Sequence, residues 1–566
     1  MSSYINLPHA PPVAHGIPLI NPRDDLPDRF RAVFPYQLFN AVQSKCFDSV
    51  YNSHDNVVVS APTGSGKTAL LELAICKLLV DHPADNFKIV YQAPTKALCS
   101  ERTRDWEKKF QSQNVSCAEL TGDSSEAERR RVGAASIIIT TPEKWDSVTR
   151  KWQDHRKLLD LVKLFLIDEV HILKDVRGAT LEAVVSRMKT IGSDVRFVAL
   201  SATVPNSEDI ATWLGRNHLT QNMPARRETF GEDLRPVKLQ KYVYGYDCSG
   251  NDFVLDKYLD QKLPLLLCKH TRGKPILIFC FTRKSCEVTA TKLAEWWSTT
   301  PRENKPWAAP KEYAKVLNPE LQELVKFGVG FHHAGLDSGD RNAIEASFSR
   351  CDLSVICCTS TLAVGVNLPC QTVVLKGTFG FSNDRLQELS DLEVMQMLGR
   401  AGRPQYDDSA TAIILTRSSN TARYEKMVSG EETLESTLHL NLIEHLNSEI
   451  CLGTITDLRS AKAWLCGSFM SVRMRRNPSH YKVASQLPEI DSPQDLPEAM
   501  CKRDIHLLQN AGLATKGELL KPTDYAWAMS KYLVRFSTME MILGMPRRCS
   551  METIVRWPMR FEVALI

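Results

Sequence analysis

The chain has 566 residues, which is too many for one hydrophobic core and predicts about three to four domains. Hydrophobic residues make up 43% of the chain and charged residues 24%, a balance typical of globular proteins. The 70 basic and 66 acidic residues give a net charge of +4, so a nucleic-acid partner would need a local basic surface, and no apolar run approaches the ~20 residues of a membrane-spanning helix.

Residues 1–25 carry several prolines and no hydrophobic period, which predicts an irregular N-terminal arm without the regions of a signal peptide. A helix is predicted over Phe34–Val50, with apolar side chains on one face. Gln43 lies in this helix, and a glutamine amide can hydrogen-bond both N6 and N7 of adenine. A solvated helical glutamine is the alternative, and the residue alone favours that alternative.

A glycine-bearing loop stands between a run of three valines and an apolar helical segment, an order typical of phosphate-binding loops. In such a loop Lys67 would reach the β- and γ-phosphates, and the Thr68 hydroxyl would bind Mg²⁺. Ala61 departs from the glycine that the pattern places first, and an ordinary turn with an exposed lysine is the alternative. The predicted nucleotide-binding residues are Ala61, Pro62, Thr63, Gly64, Ser65, Gly66, Lys67 and Thr68.

Short apolar strands alternate with amphipathic helices up to about residue 220, which predicts a mostly parallel sheet in a domain over residues 26–222. Ligands bind at the carboxyl ends of such strands. The predicted strands are Val57–Ser60, Lys88–Ala93, Ser136–Thr140, Leu164–Ile167 and Arg196–Leu200.

Two carboxylates, Asp168 and Glu169, end an apolar strand of this domain. One carboxylate at a strand tip can hold Mg²⁺ opposite Thr68, and the next can polarise the water that attacks the γ-phosphate. Two acids in a solvated loop would not need a fully apolar strand leading to them. The pattern therefore favours a catalytic pair.

A linker with Pro224 and Pro236 leads to a second alternating unit, predicted over residues 223–420. It has no phosphate loop and ends in a glycine-marked turn with Arg400 and Arg403. If the two sheets face each other, these arginines could stabilise charge on a phosphate that the first sheet holds; a surface salt-bridge pair is the alternative. The predicted strands are Ile276–Phe281, Val329–His332, Ser354–Cys358, Val373–Lys376 and Ala412–Thr416.

The alternation stops near residue 425, and a small helical or winged-helix domain is predicted over residues 421–542. Leucine or isoleucine recurs every four residues over Leu434–Ile450 and stops at Gly453, which predicts one helix. Three arginines in this domain could grip phosphates, although a solvated edge is the more common role. They are Arg473, Arg475 and Arg476.

The ordered motifs resemble those of the superfamily-two DExH helicases over roughly residues 30–540. The ending AGRPQYD and the segments ESTLHLNLIEHL and RMRRNPSHY are similar to the processive Ski-type branch. Within that branch, RGATLEAVVSRMKT and LKPTDYAWAMSKYLVRFSTMEMIL look most like the meiotic crossover-promoting DNA helicases. The matching motifs are Phe39-Asn40 with Gln43, APTGSGKT (61–68), APTKALC (93–99), TTPEKWD (140–146), DEVH (168–171), SAT (201–203), FHHAGL (331–336), TSTLAVGVNLP (359–369) and QMLGRAGRPQYD (396–407).

The resemblance implies an α/β fold of two RecA-like parallel-sheet lobes followed by a mostly helical winged-helix domain, with ATP and Mg²⁺ as cofactors. Ala61 is then the residue that the helicase pattern itself places there. A hairpin between Lys376 and Leu392 would split the duplex. The implied roles are catalysis for Lys67, Asp168, Glu169, Gln396, Arg400 and Arg403, nucleotide contact for Gly365 and Asn367, nucleic-acid contact for Thr95, Thr141, His333, Gly335 and Thr359, coupling for His171, Ser201 and Thr203, and Mg²⁺ binding for Thr68 and Asp168.

The implied function is that of an ATP-dependent DNA helicase of the nucleus, moving 3′-to-5′ on recombination intermediates in meiotic crossover formation. Single-stranded and branched DNA are the expected partners, and other recombination proteins are compatible with this function. Two alternatives stay open: an RNA helicase of the same branch in splicing or RNA decay, and a DNA-stimulated ATPase that does not unwind. A non-enzymatic scaffold is disfavoured because the key lysine, acids and arginines are present.

In the family a helical ratchet domain follows the winged helix. Residues 543–566 are predicted to be a remnant or the start of that domain. We therefore expect a C-terminally truncated chain, with three alternatives: a fragment, a gene model cut short, or a form that lacks part of the strand channel.

Overall fold

The computed structural model describes residues 12–83, 86–122, 124, 126–191, 194–271, 273–360, 362, 368, 370–382, 385–402, 407–485 and 492–545. Gly365, Asn367 and Arg403, to which the sequence analysis gave roles, lie outside these residues. Within these ranges no helix is both long and apolar enough to cross a membrane.

Residues 12–25, the described part of the predicted irregular arm, contain regular elements. Strands β1 (Val13–Ala14) and β2 (Ile17–Pro18) form a small antiparallel hairpin, and a short helix spans Pro22–Asp25. The turn of the hairpin is His15-Gly16, and both residues have a positive φ. The backbone N–H of Ile20 donates to the Ser44 hydroxyl at 3.1 Å, which attaches the arm to the first lobe.

The first lobe contains a seven-stranded parallel sheet in the order β5-β6-β4-β7-β8-β3-β9. Apolar side chains of strand β3, which lies between β8 and β9, alternate between two cores, with Val57 and Val59 on one face and Val58 on the other. Burial on both faces explains the continuous apolar runs of these strands. The strands are β3 Val57–Ser60, β4 Lys88–Gln92, β5 Cys117–Leu120, β6 Ile137–Thr140, β7 Val162–Ile167, β8 Arg196–Ser201 and β9 Arg226–Thr229.

Helices cover both faces of this sheet. The helix predicted from Phe34 begins only at Ala41, because Asn40 caps it: the Asn40 side chain accepts from Gln43 N, and the Gln43 side chain accepts from Asn40 N. The helices of this lobe are Ala41–Val50, Thr68–Asp81, Lys96–Phe110, Glu126–Ala134, Pro142–Thr149, Trp152–Leu159, Gly178–Ile191 and Ser207–Leu214, with a 3₁₀ turn at Val170–Lys174.

The second lobe contains a six-stranded parallel sheet in the order β10-β17-β14-β11-β13-β12. Strands β15 and β16 form the predicted hairpin, whose tip lies outside the described residues. The strands are β10 Lys238–Tyr246, β11 Ile276–Cys280, β12 Val329–His332, β13 Val355–Cys358, β14 Thr372–Lys376, β15 Phe379–Ser382, β16 Arg385–Glu388 and β17 Ser409–Arg417. The helices are Asp252–His270, Arg283–Thr299, Pro319–Leu324, Ser338–Ser349, Asp391–Leu398 and Thr421–Ser429.

The third domain is helical, as predicted, but its first helix is shorter than the leucine repeat. Leu434 and Leu438 are buried outside any α-helix, and the helix begins at Leu442, after a 3₁₀ turn. It ends at Gly453, which has φ +77°, as the sequence predicted. The helices are Leu442–Leu452, Leu458–Cys466, Phe469–Arg476, Pro478–Ser485, Leu496–Asn510, Asp524–Lys531 and Phe536–Leu543.

Buried ion pairs join this domain to the first lobe. The guanidinium of Arg187 is 1% exposed and contacts Asp146 at 2.8 Å and Glu449 at 2.7 Å. Arg473 pairs with Asp209 of the first lobe and with Glu435. Arg473 is therefore a buried interface residue and not part of the solvated edge that the arginine cluster favoured.

The carboxyl group of Glu182 lies in the same interface and makes stability depend on pH. It accepts hydrogen bonds from Ser436 Oγ at 2.6 Å and Met470 N at 2.7 Å. Burial raises the pKa of Glu182 from 4.5 to about 7, against the effect of these hydrogen bonds. Because the folded state keeps this proton and the unfolded chain releases it, this carboxyl makes the free energy of unfolding fall as pH rises from 4.5 to about 7.

We predict that Glu182→Gln removes this contribution, which is roughly 3 kcal/mol. Denaturant unfolding of both proteins at about pH 5 and pH 8 would check it. The variant should gain stability relative to the native chain at the higher pH. An equal pH slope in the two proteins would contradict the prediction.

Candidate active site

The phosphate loop needs glycine at two positions. Gly64 has φ +82° and Gly66 has φ +79°, a region that disfavours residues with a side chain. A Cβ on Gly66 would also lie 2.7 Å from Gln43 Nε2 and 3.0 Å from Asn40 Nδ2. The loop ends at the helix that begins at Thr68, whose first backbone N–H groups lack intrahelical partners.

Gln43 holds the loop from behind. Its Nε2 donates to Gly66 O at 3.0 Å, and Asn40 Nδ2 donates to Ser65 O at 3.0 Å. The Gln43 Oε1 accepts from Asn40 N at 3.0 Å. Both ends of this amide are thus engaged within the first lobe, and adenine recognition by Gln43 stays a prediction.

Lys67 is folded against its own loop. Its Nζ donates to Ala61 O at 2.5 Å and to Pro62 O at 3.1 Å. Burial lowers the pKa of Lys67, while the nearby carboxylates of Glu169 and Asp168 raise it. The ammonium therefore lies beside the backbone amides of the loop. A bound phosphate would replace the two carbonyl oxygens as the acceptor of its hydrogen bonds.

Asp168 and Glu169 follow strand β7 at its carboxyl end. Asp168 Oδ2 accepts from the Tyr91 hydroxyl at 2.8 Å, and Asp168 Oδ1 accepts from Glu169 N at 3.0 Å. Burial raises the pKa of both carboxyl groups, and the charge of Glu169 adds to the rise at Asp168.

The backbone at Glu169 is strained, which is a mark of functional sites. This residue has φ +53° and ψ +48°, the left-handed region. Its Oε2 is buried and has no hydrogen-bond partner among the described residues. A carboxylate oxygen held in this way can accept a hydrogen bond from a substrate or a water.

Residues of the second lobe form the opposite wall of a cavity of about 510 Å³. Gln396 and Arg400 line this cavity together with Lys67, Asp168 and Glu169. The turn before Arg400 touches the phosphate loop, since a Cβ on Gly399 would lie 2.6 Å from Thr63 Cγ2. The volume falls within the ~300–1,000 Å³ range of small-molecule sites.

Three residues of this site were not predicted from the sequence. Tyr91 contacts Asp168, and Arg102 and Arg235 line the cavity. Burial lowers the pKa of Arg102, but the neighbouring Tyr91 and Asp168 raise it, so the pKa lies above the ordinary value of an arginine. Tyr91 could have been predicted only from the pairing of β4 with β7, which brings it close to Asp168. No local sequence pattern marks Arg102 or Arg235.

The predicted coupling residues lie where parts of the chain meet. His171 Nδ1 accepts from Ala202 N at 3.3 Å, and burial lowers the pKa of His171 to about 3, so the ring is neutral. Ser201 is buried at the end of β8, and Ala61 N donates to its carbonyl at 3.2 Å. Thr203 Oγ1 lies 3.4 Å from the position of a Cβ on Gly430, beyond the second lobe's sheet.

An ion-pair cluster next to the acidic motif also joins the lobes. Lys174 pairs with Asp391, the first residue of the helix that carries Gln396, and with Glu432 at 2.7 Å. A shift of this helix would therefore act on Lys174, which ends the 3₁₀ turn that follows Asp168 and Glu169 in the chain.

The residues predicted to contact nucleic acid follow the carboxyl ends of strands. Thr95 follows β4 and caps a helix by accepting from Leu98 N at 3.3 Å. Thr141 follows β6 and precedes a helix that starts with Pro142. In the second lobe, His333 Nδ1 accepts from Gly335 N at 3.2 Å.

A second cavity, of about 430 Å³, lies at the carboxyl end of the second sheet. Thr359 lines it beside Arg283 and Lys284, and a Cβ on Gly335 would lie 3.4 Å from Arg283 Nη1. These two basic residues were not predicted. The cavity therefore combines predicted contact residues with a local positive charge.

Family models match all three domains. The DEAD/DEAH box helicase model matches residues 40–210, and the helicase conserved C-terminal domain model matches residues 257–405. A winged helix-turn-helix domain model matches residues 435–491. The two helicase models together span both walls of the cavity that holds Lys67 and Arg400.

Two relatives align with nearly the whole chain. A protein named probable ATP-dependent DNA helicase HFM1, from Xenopus tropicalis, is 43% identical over 560 residues, covering 95% of this chain and 41% of the relative. ATP-dependent DNA helicase MER3 from Saccharomyces cerevisiae is 42% identical over 536 residues, covering 94% and 44%. The chain thus spans about two fifths of the length of these relatives.

The fold is also similar to that of a solved structure. The crystal structure of the DUF1998 helicase MrfA bound to DNA has a TM-score of 0.56 with 17% sequence identity, covering 91% of this chain and 61% of that chain. This likeness concerns the fold alone. From the helicase models, the winged-helix match and the relatives together, the chain belongs to the superfamily-two DExH helicases of the processive Ski-type branch.

Proposed function

We propose that the chain is the ATP-hydrolysing motor of a DNA helicase. One observation carries this proposal: the phosphate loop and the acid pair of the first lobe share a cavity with Gln396 and Arg400 of the second lobe. A site divided between two lobes is completed only when they close. Hydrolysis can therefore open and close the lobes, which is what a motor requires.

Within this site the residues have distinct chemical tasks. The loop amides and Lys67 bind the phosphates, and the strained Glu169 accepts a proton from the attacking water. Arg400 stabilises the charge that develops on the transferred phosphoryl group. Gln396, whose buried Oε1 has no hydrogen-bond partner in the described part of the chain, orients the same water.

The residues present also fit a magnesium ion. The Thr68 hydroxyl and the buried Asp168 carboxylate are oxygen donors of the kind that Mg²⁺ prefers. Bound there with ATP, Mg²⁺ would neutralise charge on the β- and γ-phosphates. Tyr91 orients Asp168 by donating to its Oδ2.

We predict that Tyr91→Phe raises the Mg²⁺ concentration needed for half-maximal ATP hydrolysis by about 10-fold or more, because second-shell hydrogen bonds orient metal ligands. A Mg²⁺ titration of the ATPase rate would check it. Tyr313→Phe, at an exposed tyrosine, is the matched control. An unchanged Mg²⁺ dependence in Tyr91→Phe would contradict the role of this hydroxyl.

We propose single-stranded DNA as the polymer that this motor follows, with 3′-to-5′ movement. Thr95 and Thr141 on one lobe, and His333, Gly335 and Thr359 on the other, would hold the sugar-phosphate backbone in turn. The names of the two aligned relatives, both DNA helicases, support DNA over RNA. Backbone contacts of this kind give little sequence preference and a strong dependence on salt.

The biological setting belongs to the same proposal. Branched recombination intermediates in meiotic crossover formation are the proposed substrates, the nucleus is the proposed location, and other recombination proteins are proposed partners. The sequence similarity to the HFM1 and MER3 proteins supports this setting.

The test combines an ATPase assay with a strand-displacement assay on the same preparation. We expect single-stranded DNA to stimulate ATP hydrolysis more than RNA of the same sequence, and a 3′-tailed duplex to be unwound in preference to a 5′-tailed one. Stronger stimulation by RNA would favour the RNA helicase alternative. Stimulated hydrolysis without displacement would favour the ATPase that does not unwind.

A further inference from the structure

Arg235 is a buried residue of the linker between the lobes. Its residue exposure is 7%, and its side chain lines the cavity between the phosphate loop and the turn before Arg400. The Nη2 atom donates to Ala401 O at 3.0 Å and lies 3.6 Å from the position of a Cβ on Gly64. Arg235 therefore touches both walls of the cavity.

The charge of Arg235 is poorly compensated. Burial lowers its pKa, and Glu232 is the one acidic group that raises it. Arg235 makes no ion pair with a carboxylate of the described residues, and its positive charge also acts on Lys67. Lys67 has the carboxylates of Asp168 and Glu169 nearby, whereas burial of Arg235 is offset only weakly by Glu232. A phosphate that entered the cavity would compensate the buried charge of Arg235.

The chain on either side of Arg235 is attached to a different lobe. On the first lobe, Phe230 N donates to Ser60 O at 2.9 Å, at the end of strand β3. On the second lobe, Val237 packs against Gly402, two residues after Arg400, since a Cβ on Gly402 would lie 3.1 Å from Val237 Cβ. The position of the guanidinium thus depends on how the two lobes sit against each other.

We propose that Arg235 binds the γ-phosphate of ATP and makes the closed arrangement of the lobes selective for the triphosphate. This inference rests on the proposed ATP site. A guanidinium donates two parallel hydrogen bonds to phosphate oxygens, which a lysine cannot do. The loop amides at the helix N-terminus cradle the inner phosphates, so a cation at Gly64 and Ala401, beside Arg400, faces the terminal one.

The test compares binding of AMP-PNP, ADP and AMP to the native chain and to two variants by competition with a fluorescent nucleotide. We expect Arg235→Gln to weaken AMP-PNP binding by about 10–100-fold, which is the loss of affinity expected when hydrogen bonds to a charged group are removed. Binding of ADP and AMP should change by less than about 3-fold. Arg235→Lys should fall between the native chain and Arg235→Gln. Arg227→Gln, at an exposed arginine of β9, is the matched control and should bind as the native chain does.

A merely structural role would give a different result. If Arg235 only held Ala401 in place, the three nucleotides would lose affinity equally, and that outcome would overturn the inference, as would unchanged AMP-PNP binding in Arg235→Gln. Arg235→Lys keeps the charge and carries the test if the glutamine variant does not fold. A folded native chain that binds no AMP-PNP would instead contradict the proposed function itself.

Discussion

Arg400→Ala is expected to lower the rate of ATP hydrolysis by roughly 10³–10⁵-fold, the effect of removing an arginine that stabilises phosphoryl transfer. Arg400 lines the cavity from the second lobe, while the phosphate loop and the acid pair line it from the first. Its neighbour Gly399 is in contact with Thr63 of the loop, so the arginine is close to where a γ-phosphate would lie. ATP binding should be affected far less than hydrolysis.

Single-turnover hydrolysis and equilibrium binding of AMP-PNP, measured on the same protein, would separate these effects. Arg350→Ala is the matched control, because Arg350 is an exposed arginine of the same lobe that pairs with Asp352. If Arg400→Ala retained more than about a tenth of the native rate, the second lobe would not complete the site.

Glu169→Gln is expected to lower ATP hydrolysis by about 10²–10⁴-fold, the usual contribution of a general base. The amide keeps the size of the side chain but cannot take the proton from water. The left-handed backbone at residue 169 tolerates glutamine as well as glutamate, so the fold should survive. Binding of ATP should stay near the native level, because the phosphate loop and Lys67 are unchanged.

Steady-state hydrolysis with a thermal unfolding curve of each protein would check this prediction. Glu323→Gln, at an exposed glutamate that pairs with Lys326, should hydrolyse ATP at the native rate. Near-normal turnover in a folded Glu169→Gln protein would remove Glu169 from the catalytic site.

The interior strands of both lobes could be predicted from the sequence because they are buried on both faces and read as apolar runs. Strands β5, β9 and β10 were missed, and all three are edge strands. An edge strand such as Arg226–Thr229 has one unpaired side and carries charged residues, so hydrophobicity does not mark it.

The candidate site divides in the same way. Lys67, Asp168 and Glu169 belong to local patterns, a loop before a helix and acids after a strand, and the sequence pointed to them directly. Tyr91 and Arg235 matter only through neighbours that are distant in sequence, namely Asp168 and Ala401. Such contacts depend on the order of strands and on the packing of the lobes, which no short motif encodes.

Two expectations from local pattern were wrong for related reasons. The helix predicted from Phe34 starts at Ala41 because a capping box at Asn40 decides where a helix begins. Arg473 is buried against Asp209 and Glu435, although the cluster of three arginines in the sequence favoured a solvated edge. In both cases polar interactions with specific partners overrode the local pattern.

We propose that the two lobes form one ATP site whose turnover responds to a nucleic-acid strand. Its most direct test is the ATP hydrolysis rate of the native chain with and without single-stranded DNA, measured beside Glu169→Gln. We expect a rate that rises with DNA in the native chain and stays near background in the variant. A native rate that does not change when DNA is added, or a variant as active as the native chain, would contradict it.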